Sequence, residues 1–177
     1  MNKRRQFASG RVPCATVAVV VLLVPTGLLA ASPETVEVQV TFVNPIAISE
    51  TNALQFGSID QNLANVESVT VAPDSTVTDP ANRVEGGPQA AASLTITATP
   101  GQAFTIQVDS VVPGAGYSLT DFRCNYNSEA EATCDGGGYS GTSVASGTLL
   151  VGATLTGDGT AVTGVADGSF EVTVTYQ

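Results

Sequence analysis

The sequence predicts an all-β domain, folded as a sandwich or a barrel. Two observations support this fold class: apolar and polar residues alternate along several runs, and glycine, proline, aspartate and asparagine residues separate those runs. Strict alternation indicates a strand that turns one face to a core and the other to solvent. A spacing of about ten to fifteen residues between strands is typical of sandwiches and barrels.

The clearest alternation occurs in five runs. The first, within residues 32–43, places four apolar side chains on one face: Val36, Val38, Val40 and Phe42. The next three runs cover residues 94–98, 104–108 and 149–155. The last run has its apolar side chains at Phe170, Val172, Val174 and Tyr176. Between these runs, the Gly-Gly-Pro sequence at residues 86–88 predicts a long loop.

Residues 117–126 alternate in two phases. Tyr117 and Leu119 share one phase, whereas Phe122 and Cys124 share the opposite one. One extra residue in a strand reverses the faces of all residues that follow, so a bulge near Asp121 explains the change. A turn at the same place explains it equally well.

Residues 1–31 are predicted to be a secretory signal peptide. Basic residues come first, an apolar stretch follows over residues 12–31, and small residues end it. This order is that of an export signal. The alternative is a permanent membrane anchor, but the uninterrupted apolar core, residues 17–25, is shorter than the roughly 20 residues that span a bilayer. The remaining chain is therefore expected to carry no membrane span.

The chain beyond the signal peptide is strongly acidic. It keeps two arginines, Arg83 and Arg123, against 16 carboxylates, which gives a net charge of −14. It has no lysine and no histidine. Nucleic-acid binding depends on Lys and Arg contacts to phosphates, so nucleic acid is excluded as a partner. An anionic membrane surface would repel the chain for the same reason.

Cys124 and Cys134 are the two cysteines that follow the signal peptide. In an exported protein an isolated pair predicts a disulfide. Closing that loop would contribute about 3 kcal/mol. A zinc site would need four ligands, and only the carboxylates of Glu129, Glu131 and Asp135 lie near enough in sequence to complete it. We therefore expect a disulfide, with neither metal nor cofactor.

The sequence contains no catalytic constellation. The usual base for a Ser or Cys nucleophile is histidine, which the chain lacks. The carboxylates fall mostly on polar strand positions or in Asp-Gly turns, where solvation is the default. The aspartates of those turns, Asp135, Asp158 and Asp167, are too far apart in sequence to predict a calcium loop. The sequence therefore predicts a protein that is not an enzyme.

The final strand resembles the C-terminus of chaperone–usher pilin subunits. Those subunits share a penultimate tyrosine and a glycine fourteenth from the end, which Tyr176 and Gly164 match. The resemblance implies an incomplete immunoglobulin-like sandwich with a groove bordered by the final strand. In pilins a periplasmic chaperone, and then the N-terminal extension of the next subunit, fills that groove by strand addition. The matching donor strand here would be the apolar run at residues 36–42.

Most of the chain also resembles a bacterial exported family known as domain of unknown function 4402. The likeness is carried by Leu54, Phe56, Gly57, residues 151–155 with Gly152, and Gly164 with the final strand. This resemblance implies export and a β-sandwich that covers residues 44–177.

Together these features predict a structural subunit of a fimbria-like or other extracellular surface assembly, which polymerises by β-strand exchange. Its partners would be copies of itself or related subunits, with a periplasmic chaperone and an outer-membrane usher during export from a Gram-negative bacterium. It would pass through the periplasm to the cell surface. The alternative is a self-sufficient secreted or periplasmic binding module, which would hold a carbohydrate or protein ligand on loops such as residues 117–139.

Overall fold

The computed structural model describes residues 34–177, so the predicted signal peptide at residues 1–31 lies outside the described residues. The chain divides into two units, Met1–Val40 and Thr41–Gln177. In the described part of the first unit, residues 34–40 form neither strand nor helix, and their side chains are exposed. All of the regular structure described below belongs to the second unit.

The second unit consists of β-strands, and residues 34–177 contain no helix. The strands are β1 (Ala47–Asn52), β2 (Gln55–Ile59), β3 (Ser68–Val71), β4 (Val77–Thr78), β5 (Val84–Ala90), β6 (Ala92–Thr97), β7 (Ala103–Val112), β8 (Tyr117–Tyr126), β9 (Ala132–Thr133), β10 (Tyr139–Thr142), β11 (Ser146–Gly157) and β12 (Ser169–Tyr176). The all-β prediction is therefore confirmed.

The larger sheet is built around β11. This long strand pairs on one side with β6 and β3, and on the other side with β8. The sheet is completed by β1 next to β6, β4 next to β3, and β9 next to β8. Every pairing is antiparallel. Strand β11 has neighbours on both edges, so it lies in the middle of the sheet. Its apolar side chains Leu149, Val151 and Ala153 are fully buried.

The smaller sheet has three antiparallel strands in the order β10-β7-β12. Both sheets contribute to one core: Leu149 and Val151 come from the larger sheet, and Phe104 and Ile106 from the smaller. The rings of Phe104 and Tyr126, which belong to different sheets, meet edge to face with centroids 5.0 Å apart. The arrangement is consistent with a β-sandwich.

The phase change in residues 117–126 is a bulge. Strand β8 continues through it, and its register against β11 shifts, because Arg123 pairs with Gly152 whereas Thr120 pairs with Thr154. The extra residue in β8 is accommodated at Asp121, whose φ of 51° is left-handed. Of the two explanations left open by the sequence, the bulge is confirmed and the turn is wrong.

Two sequence predictions of loops are corrected. Residues 86–88 lie within β5, which pairs with β2 in a two-stranded ladder broken by register shifts. The glycines at 86 and 87 have positive φ, so they bend the strand instead of ending it. The proposed loop 117–139 begins with β8, so within it only the segments around β9 are loops.

The run at residues 36–42 differs from the other predicted runs. The runs at 94–98, 104–108, 149–155 and 170–176 fall in β6, β7, β11 and β12, whereas residues 34–46 form no strand. Its apolar side chains lie in solvent, with Val36 80% and Phe42 90% exposed. A strand needs a neighbour to bond its backbone groups, and the single described chain gives this segment none. That it becomes a strand on pairing stays a prediction.

Candidate functional site

Strand β12 has a free edge. It pairs with β7, and no other strand within residues 34–177 pairs with it. At the end of this ladder the Gln177 N–H donates to the Ala103 carbonyl, 3.0 Å away. Ladder bonds alternate in an antiparallel pair, so the odd-numbered residues bond β7 and the even-numbered ones face outward. The backbone groups at the free edge therefore belong to Val172, Val174 and Tyr176.

The side chains of β12 form one apolar row. The predicted groove-strand residues all pack, half-buried, against the core: Phe170, Val172, Val174 and Tyr176. The Phe170 ring contacts the buried Phe122 ring, with centroids 5.1 Å apart. The structure thus brings the four residues together on the inner face of an edge strand, and no strand within residues 34–177 covers their outer flank.

Two cavities lie along this row. The larger, about 950 Å³, borders Phe170 and Val172 and is lined by apolar side chains that include Leu54, Phe56, Leu94, Leu119 and Leu155. The smaller, about 480 Å³, borders Val174 to Tyr176 and reaches residues 43–46. Together they follow the length of β12, and we call them the open groove.

The opposite wall of the open groove is formed from the larger sheet. Strand β1 is the outermost strand beside β6, and its other edge is unpaired within the part of the chain that is described. Glu50 of β1 and the following Ala53 line the larger cavity, and Ile46, just before β1, lines the smaller one. The groove therefore runs between the free edges of the two sheets.

Tyr176 fixes the point where the chain enters the domain. Its hydroxyl donates to the Asn44 carbonyl at 3.0 Å and accepts the Thr99 backbone N–H at 2.8 Å. The Asn44 N–H in turn donates to the Thr99 side-chain oxygen at 2.6 Å. Residues 43–46 are thereby held beside the last residues of β12. We call this the Tyr176 end of the domain.

The Leu-x-Phe-Gly motif, residues 54–57, lies at the groove. Leu54 and Phe56 line the larger cavity, as does Gly57. A β-carbon on Gly57 would collide with the Gln89 side chain and the Gly86 carbonyl, and its φ of 79° also requires glycine. The Leu-x-Phe-Gly piece therefore provides two groove side chains and the close β2–β5 contact that positions them.

The other two motif glycines lie apart from the first. Gly152 is buried in β11, where a β-carbon would collide with the Val71 carbonyl of β3. This glycine allows the close approach of the two strands and has no place in the groove. Gly164 lies in the loop between β11 and β12, which lines one end of the larger cavity.

Cys124 and Cys134 form the predicted disulfide, and both are fully buried. The Cys134 N–H donates to the Phe122 carbonyl of β8 at 3.0 Å. The Cys134 carbonyl accepts the Val108 N–H of β7 at 2.7 Å. Because β8 and β7 belong to different sheets, the Cys134 segment joins the sheets on the side opposite the open groove. We call this the closed side.

An ion-pair cluster that sequence reasoning missed supports the groove. Arg83 donates two hydrogen bonds to Glu67, at 2.8 and 2.9 Å, and one to Asp60 at 3.2 Å. The Arg83 hydrogen bonds lower the pKa of Glu67. The pKa of Asp60 is lowered chiefly by the backbone N–H of Asn62, with a contribution from Arg83. The cluster holds residues 60–67, some of which line the larger cavity.

The described residues offer little for metal chemistry. Between residues 34 and 177, no group of three or more His, Cys, Asp or Glu side chains is placed to hold a metal ion. Over the same range no helix is long and apolar enough to cross a membrane.

Tyr139 is the tyrosine whose pKa is strongly raised. The main cause is its burial, and the second is the 2.6 Å hydrogen bond that its hydroxyl donates to the Glu129 carboxylate.

The comparison with known families gives one result. The family model described as "Domain of unknown function (DUF4402)" matches residues 46–176. The match contains all of the strands and the three motif pieces, and it begins where residues 43–46 join β1. Comparison with curated proteins and with solved structures finds no match. The chain therefore belongs to the family described as domain of unknown function DUF4402.

Proposed function

We propose that this chain is a structural subunit of a fimbria-like or other extracellular surface assembly, whose copies join by β-strand exchange. The observation that carries the proposal is the open groove. An edge strand with unbonded backbone groups at Val172, Val174 and Tyr176 lies beside a cavity of about 950 Å³ whose lining includes Leu54, Phe56 and Leu94. A strand with alternating apolar side chains would fill the cavity with those side chains and, at the same time, form hydrogen bonds with the free edge of β12.

The segment at residues 36–42 has the properties of the missing strand. Its four apolar side chains alternate with polar ones and are all more than half exposed. Burying them contributes about 1.5–3 kcal/mol each. Ordering the backbone costs about 1–2 kcal/mol per residue, a similar total. The segment therefore gains order only where a sheet edge adds hydrogen bonds, which is what β12 offers.

Chain geometry favours insertion into a second copy. Asn44 is held beside Tyr176, so Phe42 must lie near that end of β12 if the segment fills its own groove. The segment would then run parallel to β12, because a single residue spans no more than about 3.8 Å. A segment from another copy can pair antiparallel, which is the more stable arrangement. The proposed architecture is thus the incomplete, immunoglobulin-like sandwich of pilins.

The proposal extends to the route of assembly. Subunits with an open groove, a free edge and an intact donor segment would exchange strands before export is complete unless another protein covered the groove. A periplasmic chaperone that lends a strand, and an outer-membrane usher that exchanges it, would meet this need before the subunit reaches the cell surface.

The test uses the chain without its signal peptide. The variant V38D/V40D places two charges on the apolar face of the segment, so it should lose the ability to donate a strand. We expect it to remain monomeric by light scattering and to bind one synthetic peptide of residues 34–43. The matched control Gln39→Asp changes the polar face and should assemble like the unmodified chain.

The opposite result would be a monomer in every case. If the unmodified chain stays monomeric, ignores the peptide and protects residues 36–42 from hydrogen exchange, the segment is part of its own domain. The chain would then be a self-sufficient module, and a carbohydrate or protein ligand would have to be sought on its loops.

A further inference from the structure

The end of the domain where β12 begins presents apolar side chains to solvent. Three loops, residues 60–67, 113–116 and 158–168, lie at this end together with the end of β7. We call it the valine end, defined by five exposed residues: Val66, Val111, Val112, Val162 and Val165.

These loops form one surface. The Gly157 N–H donates to the Glu67 carbonyl at 3.0 Å, and the Asp158 N–H donates to the Gly116 carbonyl at 3.1 Å. Val112, the last residue of β7, pairs with the first residue of β12. Val162 and Val165 also line the larger cavity, so the surface is continuous with the open groove.

Val66 is in an unfavourable position for the isolated domain. Its φ of 71° is left-handed, a conformation that suits Gly, Asn or Asp and that a β-branched residue rarely adopts. Its side chain is also 83% exposed, so it gains no burial in return. A strained apolar side chain in solvent is therefore evidence for a contact that the single chain lacks.

We propose that the valine end is an interface between copies of this chain, which receives the Tyr176 end of the next copy. The inference rests on the proposed function, and it names a second contact besides the strand in the groove. Each copy would present its Tyr176 end to one neighbour and its valine end to another. Such a contact joins two different surfaces, so it adds copies head to tail and gives a linear fibre when its rotation does not close a ring.

The direction of the donated strand leads to this contact. Antiparallel pairing places Val36 of the donor near Tyr176 of the acceptor and places Phe42 near the start of β12, at the valine end. An extended strand of residues 36–42 is about 23 Å long, against about 26 Å for β12, at about 3.3 Å per residue. Donor residues 43–46 then lead directly into the Tyr176 end of the donor domain. The donor domain must therefore lie close to the valines of the acceptor.

The test separates this contact from the groove. The variant V66N/V112S removes two valines that do not line the groove. In the chain with an unmodified segment, we expect the concentration needed for fibre formation to rise about tenfold or more. Asn suits the left-handed position, so the melting temperature should stay the same or rise. The control Asp121→Asn puts the same residue at another exposed left-handed position, in the middle of β8, and should leave assembly unchanged.

Peptide binding provides the second readout. With V66N/V112S added to the V38D/V40D background, binding of the 34–43 peptide should be unchanged. If V66N/V112S assembles as well as the Asp121→Asn control, the valine end is not an interface, while the groove proposal stands. If it loses peptide binding as well, the valines act through the groove and the inference is wrong. If the unmodified chain neither assembles nor binds peptide, the proposed function itself fails.

Discussion

The closed side and the open groove are the two places where the edges of the two sheets come near each other, and they differ in what joins those edges. On the closed side, the Cys134 backbone forms hydrogen bonds with both β8 and β7, and the disulfide links it covalently to β8. At the open groove, β1 and β12 end as free edges with a cavity between them. One edge of the core is covered within the chain, whereas the other is uncovered over residues 34–177 and is where we propose that a strand is added.

Burial follows the same division. On β8, Phe122, Cys124 and Tyr126 are at most 2% exposed. On β12, the corresponding inward row, which includes Phe170 and Val172, is only half-buried. The comparison indicates that the stability of the free subunit depends on the closed side. The groove residues would contribute fully only after a strand covers them.

Truncation of two neighbouring rings, Phe122 and Phe170, should separate the closed side from the open groove most clearly. Phe122→Ala removes a fully buried ring and should lower the free energy of unfolding by about 3–5 kcal/mol. Phe170→Ala removes a half-buried groove ring, so it should cost about 1–2 kcal/mol and weaken binding of the 34–43 peptide about tenfold. Urea unfolding and peptide titration of the monomeric V38D/V40D chain measure both quantities. Equal stability losses for the two variants would mean that the open side is as complete as the closed side.

The disulfide tests the closed side alone. C124A/C134A should lower the free energy of unfolding by about 2–4 kcal/mol, because the unfolded chain is no longer cross-linked. The affinity of the folded subunit for the peptide should not change, since neither cysteine lines the groove. Thr133→Ala alters an exposed neighbour and should stay within about 0.5 kcal/mol of the parent. A large loss of peptide affinity in C124A/C134A would show that the two sides are coupled.

Local sequence signals predicted most of the core. Alternation located four of the strands because each turns one face to the core while the other is less buried, as residues 94–97 show. The opposite phases around Asp121 indicated the bulge, and the isolated cysteine pair indicated the disulfide. The loop prediction at residues 86–88 was wrong because glycine and proline usually mark loops, whereas here they bend a short strand.

The remaining features depend on contacts between distant parts of the chain. Arg83 meets Glu67 and Asp60 only because the loop before β3 and the start of β5 come together. The grouping of Val66 with Val165 likewise requires the sheet order. The segment at residues 36–42 shows the converse, since its alternation predicts a strand that the described chain does not form, and it contains no information about which edge would receive it.

Lowering the pH should have the smallest and most local effect on stability. It acts near the groove, through residues 60–67, which Arg83 holds. The pKa values of Asp60 and Glu67 are lowered from 3.8 and 4.5 in the folded chain, so their contribution to stability is present above those values. It is lost as the pH falls through the lower, folded pKa values. Arg83→Gln should therefore weaken stability and peptide binding near neutral pH, and its difference from the parent should shrink as the pH falls below 4.5 and through the lowered pKa values of the two carboxyls. Arg123→Gln removes the same charge from an exposed pair with Glu131, far from the groove, and should leave peptide binding unchanged at each pH. If both arginine variants change peptide binding equally, the change in affinity comes from the net charge of the chain and not from the position of residues 60–67.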